Sequence, residues 1–170
     1  MDNRLVSSKL KKDGKTRKKG ETSAIPSLKG AYGLLIELTK PFNRKIGALG
    51  FVGLVPGFYL YAGNAYGNGG INGRIRRHLK AKKSLYWHAD SLTVFGHIKN
   101  ILSVPFGQEC NLVKIIQSTT DATYPIPNFG STDCQNCPSH LLFFSTGKTQ
   151  FLKKIKHQVR GEIYSPPFGF

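Results

Sequence analysis

Acidic residues are scarce in this sequence. Of 170 residues nine are Asp or Glu against 25 Lys and Arg, a formal charge of +16. So one-sided a balance favours polyanionic partners, nucleic acid ahead of an anionic membrane. Cysteine is sparse as well: three residues, an odd number, do not make a secreted disulfide framework, and a reducing cytoplasm is the expected setting. Long apolar runs are missing. None nears the ~20 residues that a membrane-spanning helix needs, so no membrane is expected as a partner. The basic opening also has no apolar stretch of the kind a secretory leader carries. No Walker loop, nucleophile elbow or internal repeat is present.

What is there divides into three parts. Residues 1–28 form a basic arm, with Lys11, Lys12, Arg17, Lys18 and Lys19 set among small polar residues. It has too little apolar side chain to bury, and is expected to be disordered until phosphates order it. Residues 29–147 carry the alternating strand and helix signals of an α+β domain. Residues 148–170 read as a basic amphipathic helix over 147–160, then a Pro- and aromatic-rich end from 164 that cannot be regular structure.

Within the domain, 31–38, 58–62, 97–104 and 141–144 read as strands, and 44–49 with 51–54 as a short hairpin. Ile71, Ile75 and Leu79 recur every fourth residue and predict a helix over 70–80. Further helices are expected over 87–95, with Trp87 in the core, and over 106–117, with Glu109 in the first turn. Punctuated by Pro125, Pro127, Gly130 and Pro138, the segment 121–140 reads as a loop.

The chain is organised around residues 57–80, where a tyrosine-rich strand enters a glycine-rich turn and then a basic helix. Such a turn offers backbone N–H groups and a helix N-terminus to an anion, so a phosphate site is expected there. Tyr32, Tyr61, Arg74, His78 and Glu109 are the candidate set. Phosphodiester hydrolysis needs a proton acceptor, a cation beside the nonbridging oxygens, and usually a carboxylate-held metal. Glu109 is the carboxylate placed to hold Mg²⁺ or Mn²⁺. Arg76, Arg77 and Lys80 add charge for a longer nucleic-acid strand. A plainer account of the same residues is core aromatics, phosphate-binding arginines, and a glutamate that only complements a helix dipole.

A second constellation is Cys134-Gln135-Asn136-Cys137-Pro138-Ser139-His140, with the close spacing of a zinc half-site. Cys110 is a candidate fourth ligand for Zn²⁺, together with Cys134, Cys137 and His140. The plainer account is a tight polar loop whose thiols are small buried fillers.

The ordered series Gly30-Ala31-Tyr32, Tyr61-Ala62-Gly63, Arg74 and His78 resembles the GIY-YIG nuclease superfamily. The run YAGNAYGNGGINGRIRRH, then Tyr86-Trp87-His88-Ala89-Asp90, Glu109-Cys110 and 129–141, resembles a branch of small standalone domains within it. The resemblance covers residues 30–144. It implies a small antiparallel or mixed sheet flanked by helices and, in active members, divalent-metal-dependent strand cleavage of DNA or RNA. By position, Tyr32 would act as general base with Tyr61 supporting it, and Arg74 would hold the scissile phosphate. His78 would relay a proton or position groups, and Glu109 would ligate the metal. Ala31 and Ala62 replace the isoleucines of the motif, and Asn128 stands for its late polar residue. The competing expectation is a non-catalytic, ribosome-associated protein that uses the same fold and both basic tails to bind ribosomal RNA.

Overall fold

Nearly every side chain of β1 (Gly30–Leu38) is apolar and buried, the composition of a strand covered on both faces. The computed structural model describes residues 24–145 and 150–168. In it β1 is followed by β2 (Phe42–Lys45), a short 3₁₀ turn (Gly47–Leu49), β3 (Phe51–Leu54) and β4 (Gly57–Asn64). Then come α1 (Gly70–Leu79), α2 (His88–Phe95), β5 (His97–Pro105), α3 (Glu109–Thr119), β6 (Leu141–Phe144), α4 (Gln150–Gln158) and β7 (Glu162–Tyr164). Five strands form one sheet in the order β6-β4-β1-β5-β7, and β2 pairs with β3 separately. All pairings are antiparallel. The α+β class with an antiparallel sheet flanked by helices is thus the one read from the sequence.

Alternation along β1 sorts its side chains between two cores. Tyr32, Leu34, Ile36 and Leu38 join Ile71 and Ile75 of α1 and Leu92 of α2 on one face. Ala31 and Leu35 turn to the other face, under Leu112 and Ile116 of α3 and Leu152 and Ile155 of α4. Because β1 is antiparallel to both β4 and β5, the start of β1 and the ends of β4 and β5 lie together at one end of the sheet. Among the described residues no helix is long and apolar enough to cross a membrane.

Several expectations change. The arm does not extend to residue 28: Ile25 is buried in the core, and the carbonyls of Leu28 and Pro26 accept from the N–H groups of Ile71 and Asn72. A Cβ on Gly70 would stand 2.3 Å from the Ser27 carbonyl oxygen, so glycine is required where this strap crosses the helix. The same strap overturns the expected anion site at the helix N-terminus, because its first amides already have backbone acceptors. Lys11, Lys12, Arg17, Lys18 and Lys19 lie outside the described residues.

Nor is the C-terminal part a separate unit, since α4 packs into the second core and β7 pairs with β5. Strand structure runs to Tyr164 because the prolines come only afterwards, at 166 and 167. The short hairpin expected from 44–49 with 51–54 is present as β2 paired antiparallel with β3, but its first strand ends at Lys45 and the 3₁₀ turn follows, where Gly47 and Gly50 take positive φ. Helix α3 starts at Glu109 rather than 106, because Phe106 has a φ of 61° and stands exposed. Trp87 is 38% exposed and sits at the start of α2, outside the core.

Burial makes a plain stability contrast. Leu60→Ala, at a fully buried position of β4, should cost about 2–5 kcal/mol in urea unfolding. Phe51→Ala, at 84% exposure, should stay within about 0.5 kcal/mol of the parent.

Candidate active site

The antiparallel register places Tyr32 opposite Gly63, and a Cβ on that glycine would lie 2.4 Å from the phenol oxygen. Glycine at this position lets the Tyr32 ring lie across the neighbouring strand. Tyr61 comes from β4 on the same face, its ring 6.4 Å from that of Tyr32. Helix α1 packs over both and brings His78 to them: Tyr32 Oη and His78 Nε2 are 2.8 Å apart. Arg74, one turn earlier, borders the same space. At the sheet end, β5 leads into α3 and presents Glu109, whose carboxylate accepts from Asn64 Nδ2 at 3.0 Å.

Tyr32, Tyr61, Arg74 and Glu109 thus line one polar cleft of about 630 Å³, and His78 stands behind Tyr32. Beside the cleft a hollow of about 350 Å³ runs past Trp87 to Tyr86, which is 80% exposed. The Arg74 and Arg77 guanidinium carbons lie 4.3 and 4.4 Å from the centre of the Trp87 ring.

His78 is buried, and burial lowers its pKa from 6.5 to about 3, against the attraction of Asp90. The imidazole is therefore neutral, with one nitrogen that donates and one that accepts. Asp90 Oδ1 faces Nδ1 across 3.8 Å. A carboxylate oxygen on that side favours the Nδ1–H tautomer, in which Nε2 accepts from the Tyr32 hydroxyl. Neither His78 Nδ1 nor Asp90 Oδ1 has a hydrogen-bond partner, so the pair is close without being closed.

Burial, and then the neighbouring Tyr61, push the Tyr32 phenol well above its usual 10, while Arg74 pulls it down. Tyr61 is raised likewise, by burial first and then by Asp90. Both phenols are neutral in the cleft as it stands.

Asp90, with no exposed surface, was absent from the candidate set. Its Oδ2 accepts from Arg77 at 2.7 Å and from the backbone N–H groups of Tyr86 and Trp87. Arg77 is thereby held against Asp90 and Trp87, not turned outward to a strand of nucleic acid. Arg76 donates to Asn72 and borders a separate surface hollow with Lys80. Asn64 and Trp87 are further cleft residues outside the set. Asn64 directly follows the Tyr-Ala-Gly triplet, the one signal that could have marked it. Asn128 lies in the 120–140 loop, exposed and outside the cleft lining.

Next to Glu109, Cys110 meets Cys134, Cys137 and His140 from that loop. Their ligand atoms all lie within 4.8 Å of one another, and this Cys₃His cluster could hold a metal ion. Burial together with hydrogen bonds to the other two thiols pushes the Cys110 thiol up to about 12.

The family described as a domain of unknown function, DUF123, matches residues 31–162, and the chain belongs to it. No curated protein and no solved structure matches the chain.

The buried neutral His78 has a measurable consequence. An unfolded chain takes up this proton below about pH 6.5, whereas the folded one resists it until about 3. Between these values the unfolded state binds more protons, so stability present above 6.5 is lost as pH falls. Urea unfolding should weaken by a few kcal/mol over that window, at about 1.4 kcal/mol for each pH step of one. In His78→Gln the loss should be shallower; half-buried His88 and buried His140, also shifted down by burial, supply the remainder.

Proposed function

We propose that this DUF123 member is a nucleic-acid-binding domain that hydrolyses phosphodiester bonds in DNA or RNA with a divalent ion, Mg²⁺ or Mn²⁺. One observation carries the reading: Tyr32, Tyr61, Arg74 and Glu109, far apart in the chain, border a single cleft. The resemblance of these same residues to the GIY-YIG nucleases supports it.

Glu109 suits a hard cation. A single carboxylate, oriented by Asn64 and open to a polar cleft, fits the habit of Mg²⁺ of keeping several waters. When bound, the ion supplies Lewis-acid stabilisation of the negative charge on the phosphate. The Cys₃His cluster offers thiolates and an imidazole, a set suited to a softer ion, and takes no part in the step.

The protein groups divide the remaining work. Arg74 neutralises a nonbridging phosphate oxygen, and its contact with Trp87 limits the positions it can take. The Tyr32 hydroxyl donates to His78, so its oxygen lone pairs are left facing the cleft. An attacking water gives a proton to that oxygen while Tyr32 passes its own to Nε2. The water oxygen bonds to phosphorus, the phosphorus–ester oxygen bond breaks, and the leaving oxygen takes a proton from solvent. Asp90, facing Nδ1, offsets the charge that arrives on His78. Burial gives that imidazolium little stability, so the proton returns through Tyr32 to solvent. Exposed Tyr86 and half-exposed Trp87 are a surface on which unpaired bases can stack, which favours nucleic acid over a small phosphodiester.

The charge of +16 favours a second reading, an RNA-binding protein without cleavage and of the ribosome-associated kind. Cleavage of branched, single-stranded and duplex DNA and RNA with Mg²⁺ or Mn²⁺ separates the two. The nuclease reading expects cleavage by the parent, with a loss of at least about 100-fold in Tyr32→Phe and Glu109→Gln and strand binding retained by both. A parent that cleaves nothing, yet binds RNA with a salt dependence that both variants keep, supports the binding protein.

Phosphate neutralisation by the arm is testable separately. Deleting residues 1–23, which spares Ile25, should reduce the slope of log K against log salt by roughly 0.7–0.9 for each phosphate that the arm neutralises. An unchanged slope means that the arm does not touch the nucleic acid.

A further inference from the structure

Residues 120–140 run from α3 to β6 without a helix or strand of their own. A stretch that long inside a small domain needs something to hold it. Part of the answer is Phe129, fully buried, and the backbone bonds Asn128 N–H to Pro138 O and His140 N–H to Phe129 O. The rest lies where this loop meets α3.

There, Cys134, Cys137 and His140 face Cys110. All three cysteines are free thiols. Cys110 Sγ lies 3.3 Å from Cys134 Sγ and 3.8 Å from His140 Nε2. Donors around a tetrahedral Zn²⁺ at its usual bond lengths stand about 3.5–3.8 Å apart, so these two separations are near that size in a set whose ligand atoms all lie within 4.8 Å of one another. The sulfur separation far exceeds the ~2.0 Å of a disulfide. Three thiolates and one imidazole select zinc over the hard cations that Glu109 suits.

Outer contacts also fit a metal ligand set. His140 Nε2 is directed at the cysteines, 3.8 Å from Cys110 Sγ. Cys134 Sγ accepts from the N–H of Asn136 at 3.4 Å. Cys137 and His140 are buried, so the set is closed on its inner side.

We infer that Cys110, Cys134, Cys137 and His140 bind Zn²⁺ in a closed, four-ligand structural centre that pins the 120–140 loop to the first turn of α3. Cys110 directly follows Glu109, and the loop supplies Gly130 and Cys134 to the cleft lining. Gly130 N–H in turn donates to His88 Nδ1 at 3.0 Å, tying the wall to α2. The ion would therefore join three elements at the wall of the cleft, which Cys110, Cys134 and His140 themselves line, and this centre does not depend on whether the cleft cleaves anything.

Metal content of the whole chain, purified reduced from zinc-supplemented cells, tests the assignment. Elemental mass spectrometry should find about one zinc per chain. Chelated protein given Co²⁺ alone should show sulfur-to-cobalt charge transfer and tetrahedral visible bands. Cys134→Ser, at a half-buried position, should weaken zinc binding at least about tenfold. Zinc removal should speed amide exchange in 129–140 and at the start of α3 while leaving β1 and β4 protected. Should the variant fail to fold, the cobalt spectrum of the parent still decides. Protein without zinc and without a thiolate–cobalt spectrum overturns the centre, as does undiminished zinc affinity in a folded Cys134→Ser.

Discussion

A buried hydrogen bond between Tyr32 and His78 is the contact on which the cleft depends. It joins the central strand to α1, with Tyr32 at the cleft wall and His78 sealed behind it, and burial holds both groups neutral. Burial costs an imidazolium far more than an imidazole, and it costs a phenolate more than a phenol. Both are therefore neutral, and the hydroxyl has one acceptor to point at. The phenol oxygen is left presenting lone pairs to a space that Arg74 and Glu109 also border. A flat ring in that position is tolerated because glycine stands across from it at residue 63.

Sheet topology explains why residues so distant in sequence meet. An antiparallel arrangement with β1 between β4 and β5 brings one strand start and two strand ends to a common edge. Tyr32 follows that start, Asn64 closes one end, and Glu109 follows the other by a short turn into α3. Side-chain alternation then puts Tyr32 and Tyr61 on the face covered by α1. Asp90 acts across this arrangement: it receives the Arg77 guanidinium and two backbone amides while facing His78. The arginines of α1 consequently differ in environment, Arg74 bordering the cleft and Arg77 held by an internal carboxylate.

Much of this was legible in the chain. Every-fourth-residue spacing marked α1, apolar runs marked β1, β4, β5 and β6, and the Tyr-Gly pattern marked the strands that carry the phenols. Other features had no local signal. Ile25 looks like part of a basic arm, because a single apolar residue shows nothing until a helix N-terminus binds the carbonyls beside it. Trp87 reads as core by residue type, yet cationic neighbours on α1 hold it at the rim, a long-range contact that periodicity does not carry. β7 was hidden by the prolines that follow it, although they begin only after the strand ends. The Cys-x-x-Cys spacing, with Cys110 as candidate fourth ligand, was read from the sequence, and the fold brings Cys110 to it from a helix on the other side of a loop.

The direct measurement of the central claim is the ring-nitrogen NMR spectrum of His78 as pH is lowered from about 7 to about 4.5. A single neutral tautomer, protonated on Nδ1 and unchanged over the range, is what a buried acceptor for the Tyr32 hydroxyl predicts. Titration near the ordinary value of 6.5, or a proton on Nε2, would contradict it, and the phenol would then have no defined orientation toward the cleft.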